Sequence, residues 1–300
     1  DPTSGYTAQQ ANLGDVRNSG VELMVNLVPV KTKDFEWNLS YNFTKNNNKV
    51  EKLISPEVYL SGYGGMGIYA VEGKPLGQFK TVDNLTTIID GEERLVVDGN
   101  GMPQPTASEV FLGKDVNEKY RMGLSNSFAY KGISLDVSLD FHYGGYMYSY
   151  TKDYMGWVGS GPYTVQNDRR PFVIPNSVVQ NADGTYRENT VPVRNGSSIG
   201  LHTYYGDKMF GDEFIIDRSY LKIREIALGY QLPATICQKM KVKSIALRLA
   251  VNGILMWTPK ENVYVDPEAT TFGSSIDGKF GEFAANPVNR VYTFGLKVSF

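Results

Sequence analysis

Apolar and polar residues alternate with a period of two along much of this 300-residue chain. In "DFEWNLSYNF", which begins at Asp34, the aromatic and aliphatic residues share one parity, and Glu, Asn and Ser residues fill the other. A β-strand sends successive side chains to opposite faces, so this stretch predicts a strand with one apolar and one polar face. The apolar face meets a core in a soluble protein and meets lipid in an outer-membrane barrel.

The same alternation recurs and predicts an all-β, antiparallel fold of about nine strands. The strands are expected at 20–27, 34–44, 77–88, 93–97, 120–130, 133–143, 220–232, 244–257 and 290–300. Lys131-Gly132 separates two of them and has the composition of a two-residue hairpin turn. The parity slips near Arg224 and Glu225, which predicts a β-bulge there. "PATICQKMK" then predicts a short helical turn that starts at Pro233.

The links between these strands alternate in length. Short links at 31–33, 89–92, 131–132 and 233–243 alternate with long loops near 46–75, 98–118, 144–213 and 258–289. Outer-membrane barrels show this alternation, with short turns in the periplasm and long loops outside. Several strands also have the roughly 9–11 residues that a tilted strand needs to cross the hydrocarbon. The sequence therefore predicts a transmembrane β-barrel, and the odd strand count predicts the C-terminal part of a larger one.

Composition narrows the function classes further. The net charge of −2, with scattered Lys and Arg, gives no electrostatic footprint for nucleic acid. The single cysteine, Cys237, excludes an internal disulfide framework and a Cys-rich metal site. No apolar run of about 18 residues predicts a transmembrane helix. The chain starts at Asp1 without a signal peptide, so we expect a processed or partial chain and infer no compartment from its start.

No motif in the chain predicts a catalytic, cofactor or metal site. "GYGGMG" at 62–67 matches G-x-G-x-x-G, but no helix pattern follows it, so a loop is expected. His142 shares its parity with Asp136 and Asp140 and is expected to line the lumen, and the only other histidine is His202. "DGNG", from Asp98, lacks the spaced ligands of a calcium loop and predicts a turn.

The segment 144–213 carries the strongest candidates for ligand contact. "YGGYMYSYTKDYMGWVGSGPY" contains seven aromatic residues, and "QNDRRPF" follows it. Aromatic rings stack on sugars, while Asn, Asp and Arg hydrogen-bond hydroxyl or peptide groups. Candidate substrate or partner contacts are Tyr146, Tyr148, Tyr150, Tyr154, Trp157, Asp168 and Arg169. The alternatives are packing within the loop itself, or neither role.

A set of motifs in a fixed order resembles the SusC/RagA family of TonB-dependent outer-membrane transporters. They are "NLGDVRNSGVELMVNL", "FEWNLSYNFTKNNNKVEKL", "GKPLGQF", "RPFVIPNSV", "SYLKIREIALGYQLP", "RLAVNGILMWT" followed by "VDPEA", and the terminal "RVYTFGLKVSF". Phe300, with alternating apolar residues before it, resembles the signal that the barrel-assembly machinery reads. The resemblance spans most of the chain.

The resemblance implies a 22-stranded barrel in the outer membrane of a Gram-negative, Bacteroidetes-like bacterium. It also implies a SusD-like lipoprotein lid, energy supplied through TonB, and import of a glycan, oligosaccharide or peptide. The plug, the TonB box and the earlier strands have no counterpart in this sequence, which puts transport by this piece alone in doubt. A secreted, lectin-like all-β domain is the alternative. An outer-membrane enzyme would need a catalytic constellation that the sequence does not offer.

Overall fold

The computed structural model describes residues 12–193, 211–262, 264–269, 271, 275–286 and 288–300. The strands, in chain order, are β1 (Gly14–Lys31), β2 (Phe35–Leu53), β3 (Glu57–Tyr63), β4 (Met66–Val71), β5 (Gln78–Thr81), β6 (Thr86–Ile89), β7 (Glu92–Val97), β8 (Val110–Asp115), β9 (Tyr120–Tyr130), β10 (Ile133–Tyr143), β11 (Tyr146–Ser149), β12 (Ser177–Gln180), β13 (Tyr186–Glu188), β14 (Ile215–Asp217), β15 (Tyr220–Gln231), β16 (Ser244–Trp257), β17 (Gly281–Glu282) and β18 (Val291–Ser299). The α-helices are α1 (Tyr150–Trp157), α2 (Ala234–Lys239) and α3 (Ile276–Phe280), and 3₁₀ turns span Pro162–Arg169 and Gly211–Phe214. No helix in the described ranges is long and apolar enough to cross a membrane.

Seven of the described strands form one antiparallel sheet, which we call the wall. Its order is β1-β2-β9-β10-β15-β16-β18, so each strand pairs with its neighbours in chain order. The remaining strands lie within the connections between wall strands. The prediction of an all-β antiparallel fold is confirmed.

The wall register aligns apolar residues into rows across the strands, and one of these rows crosses all seven strands. One row consists of Val30, Trp37, Phe128, Leu135, Leu228, Leu249 and Phe294, each paired with the next. Among the described residues, no core covers this face: Leu249 is 55% exposed and Phe294 is 67% exposed. An apolar face of this extent on a soluble protein would need a partner surface. The apolar face of "DFEWNLSYNF" therefore lies on the outside of this chain. This argues against a lectin-like sandwich, in which the apolar faces would lie inside.

The opposite face of the wall is polar and partly cross-linked. Ser127 donates a hydrogen bond of 2.7 Å to Asp136 on the neighbouring strand. Arg248 forms a 2.6 Å ion pair with Glu225. One polar residue, Asn126, falls on the apolar face, where its side-chain oxygen accepts a 3.1 Å hydrogen bond from the Trp37 indole. That bond satisfies the amide oxygen on a face that offers few other polar partners.

Local features of the wall match the sequence pattern. Lys131 and Gly132 both have positive φ, 46° and 87°, as the tight hairpin turn requires, and Tyr130 pairs with Ile133 across it. The register shifts between Ile223 and Glu225 against both neighbouring strands, so the bulge falls at Arg224. Pro233 caps α2 at its start. The hairpin, the bulge and the helical turn are confirmed.

The strand count differs from the prediction, because the segments 77–88 and 93–97 are not wall strands. The first is broken at Asp83 and Asn84, where the Asp83 carboxylate accepts the amide of Asn84, and yields β5 and β6. With β7, these strands have four to six residues, too few to cross a membrane. They pair with other strands of the connections, and 89–92 contains the β6–β7 turn. The described wall therefore has seven strands instead of nine.

The connections between wall strands fall into two sets. Those at 32–34, 131–132 and 232–243 are short, whereas those at 54–119, 144–219 and 258–290 are long. The loops expected near 46–75 and 98–118 are thus parts of one connection, which starts later because β2 continues to Leu53. Strands of different long connections also pair with each other. β7 of the first connection pairs with β12 of the second, and β11 of the second pairs with β17 of the third.

The three long connections fold together into what we call the loop body. Its main hydrophobic cluster includes Met66 and Phe79 from the first connection, Tyr148 and Ile215 from the second, and Phe280 from the third. A second cluster includes Val97 and Met102 of the first connection and Ile174, Val179 and Val193 of the second. Because each cluster draws residues from more than one connection, the connections stabilise one another.

Candidate functional site

The wall and the loop body meet at a group of charged residues on the polar face of β15. We call this group the clamp: Asp140, Tyr220, Lys222 and Arg224 from the wall, and Asp266 and Glu268 from the third long connection. Tyr220, Lys222 and Arg224 share one parity before the bulge. Beyond it the parity reverses, so Glu225 lies on the same face as Arg224. The bulge therefore gives the polar face two consecutive charged residues: Arg224 joins the clamp, and Glu225 pairs with Arg248.

The clamp consists of short ion pairs, in which Lys222 and Asp266 are buried and Arg224 and Glu268 are partly exposed. Lys222 Nζ lies 2.5 Å from both Asp266 Oδ1 and Glu268 Oε2. Arg224 makes two bonds of 2.6 Å to the two oxygens of Glu268 and also pairs with Asp140. Burial raises the pKa of the Glu268 carboxyl, but the hydrogen bonds from Arg224, Lys222 and Tyr220 outweigh it and hold that pKa well below its usual range. The third connection is thereby fixed to the wall.

A second junction joins the first long connection to the wall through His142. This histidine, on β10, is 4% exposed and stacks on Tyr220 of the clamp at 5.3 Å between ring centroids. Its Nδ1 lies 2.9 Å from Glu118 Oε2, and its Nε2 lies 3.0 Å from the Gly144 carbonyl oxygen. The hydrogen bond from His142 holds the pKa of Glu118 below its ordinary value. His142 does lie on the polar face, but the junction buries it.

A buried carboxylate, Glu282, joins the second and third connections. It is fully buried and accepts hydrogen bonds of 2.6 Å from Ser149 Oγ and 2.8 Å from both the amide and the hydroxyl of Thr151. These groups lie at the start of α1, where unpaired backbone amides favour a negative charge. Glu282 therefore fixes the N-terminus of α1 against β17.

The seven candidate contact residues divide into three groups in the structure. Tyr148 is buried in the core of the loop body, and burial together with its hydrogen bond to Asp153 raises its pKa. Tyr146 and Tyr150 pack against the same core. Asp168 and Arg169 end a 3₁₀ turn, where both have positive φ, and Arg169 donates to the Gly159 carbonyl at 2.9 Å. Much of the predicted contact set therefore serves loop packing.

Tyr154 and Trp157, the remaining two, lie on an aromatic ladder along α1. The rings of Phe283, Tyr150, Tyr154 and Trp157 follow one another with centroid separations of 5.4, 5.7 and 5.8 Å. Tyr154 is 48% exposed and Trp157 is 46% exposed. The ladder thus runs from the core to the surface, and its outer two rings are the exposed aromatic candidates. Asp168, whose side chain is 84% exposed, and Arg169 are the exposed polar candidates.

The weaker motifs take the expected structures where the chain is described. "GYGGMG" forms the β3–β4 hairpin, with positive φ at Gly64 and Gly65, and a strand follows it instead of a helix. "DGNG" is a turn in which Asp98 Oδ1 accepts the amides of Asn100 and Met102. His202 and the remainder of 194–210 lie outside the described residues.

The sequence-based assignment missed the acidic partners of the site: Glu118, Asp266, Glu268 and Glu282. "VDPEA", at 265–269, was noted as a landmark, and the structure shows its physical role. Its carboxylates pair with Lys222 and Arg224 of "SYLKIREIALGYQLP". Residues 44 positions apart in the sequence, one in each motif, thus form one site.

Comparisons with known proteins confirm the resemblance. The chain is 24% identical over 327 residues to TonB-dependent receptor P3 of Formosa agariphila, covering 99% of this chain and 30% of that protein. It is 23% identical over 324 residues to TonB-dependent receptor SusC of Bacteroides thetaiotaomicron, covering 99% of this chain and 27% of SusC. No family model matches the chain.

Solved structures show the same fold. The RagAB peptide transporter superposes with a TM-score of 0.68 at 21% identity, over 100% of this chain and 31% of that one. The RagAB peptide importer in its open-open state gives a TM-score of 0.66 at 20% identity. The chain thus spans under a third of the length of the proteins that it matches.

Proposed function

We propose that this chain is the C-terminal part of the barrel of a TonB-dependent outer-membrane transporter. The whole protein imports a large nutrient, an oligosaccharide, glycan or peptide, and performs no bond chemistry. The wall supplies seven strands, about a third of a 22-stranded barrel. The short connections lie on the periplasmic side and the loop body lies outside the cell.

The observation that carries this proposal is the pair of opposed faces of the wall. Apolar rows run across the wall, one of them through all seven strands, on a face that no core covers among the described residues, as contact with lipid requires. Hydroxyl, amide and charged groups occupy the other face, as a wet interior requires. The sequence relatives support the same function, because those reported above are TonB-dependent receptors.

The partners follow from the same proposal. A SusD-like lipoprotein closes over the loop body, and TonB acts through a part of the protein outside this chain. The similarity to the RagAB peptide transporter supports a peptide, whereas the carbohydrate alternative rests on the aromatic residues of α1. Tyr154 and Trp157 are the residues that we propose for contact with the substrate or the lid, because their rings are half-exposed.

Fractionation of the native bacterium tests the proposal. The protein that contains this chain is expected in the outer membrane and released only by detergent. Deletion of its gene, or of the gene for TonB, is expected to abolish uptake of the same nutrient. Release of the protein into aqueous buffer as a stable monomer, or uptake that does not depend on TonB, would refute the proposal.

A further inference from the structure

The short connection between β15 and β16, residues 232–243, is basic. It contains no acidic residue and carries three exposed lysines: Lys239, Lys241 and Lys243. Glu225, the nearest acidic residue before them in the chain, pairs with Arg248. In the neighbouring turn Lys131 lies 3.9 Å from Asp34, whereas none of these three lysines has an ion pair among the described residues. The connection therefore presents three positive charges without a nearby carboxylate partner in the described part of the chain.

Two apolar side chains of the same connection are exposed beside these lysines. Ile236 is 43% exposed and Met240 is 57% exposed. They lie four residues apart in α2 and its C-terminal cap, so they share one side of the helix. Cys237, by contrast, is buried against the chain. Apolar residues on one side of a helix, with lysines beside them, are typical of helices that lie in a membrane interface.

The burial of Ile245 indicates on which side of the wall α2 lies. Ile245 pairs with Val298 and has the parity of Leu249, which belongs to the apolar face. Ile245 is nevertheless 7% exposed, whereas Leu249 is 55% exposed. The structural element that contacts β16 at this end is α2. The helix therefore covers the apolar face of the wall at the end of β16, on the side that faces lipid.

Two tyrosines mark the level of this end of the wall in the membrane. Tyr130 and Tyr230 both pair with Ile133 on the apolar face, and they are 50% and 41% exposed. Tyrosine is enriched at the boundary between hydrocarbon and water, where barrels carry aromatic girdles. Because α2 begins at Ala234, four residues after Tyr230, it lies beside this boundary.

We propose that α2 and its three lysines bind anionic phospholipids of the periplasmic leaflet. Ile236 and Met240 enter the edge of the acyl region, and the lysines bind the headgroup phosphates. Juxtamembrane lysines attract anionic lipid by this charge complementarity. The surface also continues the lipid-facing side of the wall, so a lipid fits it better than a periplasmic protein does. This proposal rests on the outer-membrane location proposed above.

The test places a fluorophore at the site in the purified full-length protein. Met240→Cys is labelled and the protein is inserted into phosphatidylcholine nanodiscs that contain a small fraction of nitroxide-labelled phosphatidylglycerol or nitroxide-labelled phosphatidylcholine. We expect the anionic lipid to quench the fluorophore at least about fivefold more strongly than the zwitterionic lipid. Ile88→Cys, at a position in the loop body that is 76% exposed, is the control for position and should be quenched by neither lipid.

The contribution of the lysines is tested in the same labelled protein. Replacing Lys239, Lys241 and Lys243 by Gln should make the two lipids quench equally, because the local positive charge is gone. The matched control replaces three exposed lysines beyond the opposite end of the wall by Gln, and it should keep the preference for the anionic lipid. These control positions are Lys52, Lys74 and Lys260.

Three outcomes would overturn the proposal. They are equal quenching by the two lipids in the protein with its lysines, a preference that survives the triple substitution, and a label that neither lipid quenches because a periplasmic protein covers it. Nanodisc insertion separates this proposal from the proposed function. A protein that stays in aqueous buffer refutes both, whereas one that inserts and supports TonB-dependent uptake, but shows no lipid preference, refutes only this site.

Discussion

The wall and the loop body use the same alternating strand pattern but derive their structure from it in different ways. In the wall, strands of nine or more residues form a single sheet, and parity, which changes only at the register shifts in β1 and β15, assigns each side chain to a face. In the loop body, strands of two to seven residues pair within a connection or, in two cases, between connections, and buried contacts fix them. The medium on each side therefore determines which residues occupy each face of the wall, whereas specific buried contacts determine how the loop body folds. Each prediction below tests one side of this difference.

The clamp is where the loop body depends most strongly on one partner. Lys222→Ala leaves Asp266, which is 8% exposed, without its lysine, and removing one member of a buried pair costs about 3–5 kcal/mol. We expect faster hydrogen exchange of 258–269, with the β-sheet content of the wall unchanged. Lys239→Ala, on exposed α2, is the control and should leave exchange unchanged. Unaltered protection of 258–269 in Lys222→Ala would show that the loop body does not need the clamp.

The stability of the wall should instead depend on which of its two faces carries the substituted side chain. Val137 and Ser138 are adjacent on β10 at the same depth, one on each face. Val137→Arg places a charge toward lipid and should cost about 2–4 kcal/mol, whereas Ser138→Arg points into the polar side near Glu225. The measurement is the yield of heat-resistant barrel in the outer membrane. Similar yields for the two variants would contradict the assignment of faces.

Acid should loosen the loop body through its carboxylates. The pKa values of Glu118 and Glu268 are both lowered in the folded protein, below the ordinary value of about 4.3. Their stabilisation is therefore complete above that value and is lost as the pH falls through the lowered pKa values. Hydrogen exchange of 258–269 should be similar, after correction for the intrinsic rate, at pH 7 and pH 5 and increase below about pH 4.

Glu268→Gln is the control for this acid response. It removes one of the two titrating groups, so its pH dependence should be weaker than that of the wild type. If the variant and the wild type lose protection in parallel, Glu268 does not cause the acid response.

The hairpin turn of the wall should give the smallest effect. Gly132 has φ of 87°, and a Cβ there would lie 2.9 Å from the Gln231 carbonyl oxygen, so Gly132→Ala is expected to cost at least about 1 kcal/mol in denaturant unfolding from lipid vesicles. Gly99→Ala is the matched control, because open space surrounds that position and the change should have little effect. A loss equal to that of Val137→Arg would mean that the turn, and not the lipid, dominates the stability of the wall.

Much of the wall could be predicted from the sequence, because a period of two encodes the face directly. The slip at Arg224 and the hairpin at Lys131-Gly132 are local signals, and both are confirmed. The loop body could not be predicted in the same way. Short alternating segments such as 77–88 look like wall strands, and only their pairing partners reveal the difference.

The candidate site was the least predictable part. Tyr148 lies in the same aromatic-rich segment as the half-exposed Tyr154, yet it is buried because residues from three connections surround it. The clamp joins residues 222 and 266, whose spacing carries no local signal. The charges were visible in the sequence, but their pairing depends on how the third connection folds over β15.

The bulge at Arg224 has an evolutionary consequence. In a strand whose two sides have different solvents, inserting or deleting one residue would exchange lipid-facing and water-facing side chains along the rest of the strand. Insertions or deletions in β15 should therefore be tolerated only when they add or remove two residues. The exception is the position beside Arg224, where the bulge already accommodates one extra residue. When relatives are aligned, single-residue gaps in this strand should accumulate at that position and be rare elsewhere.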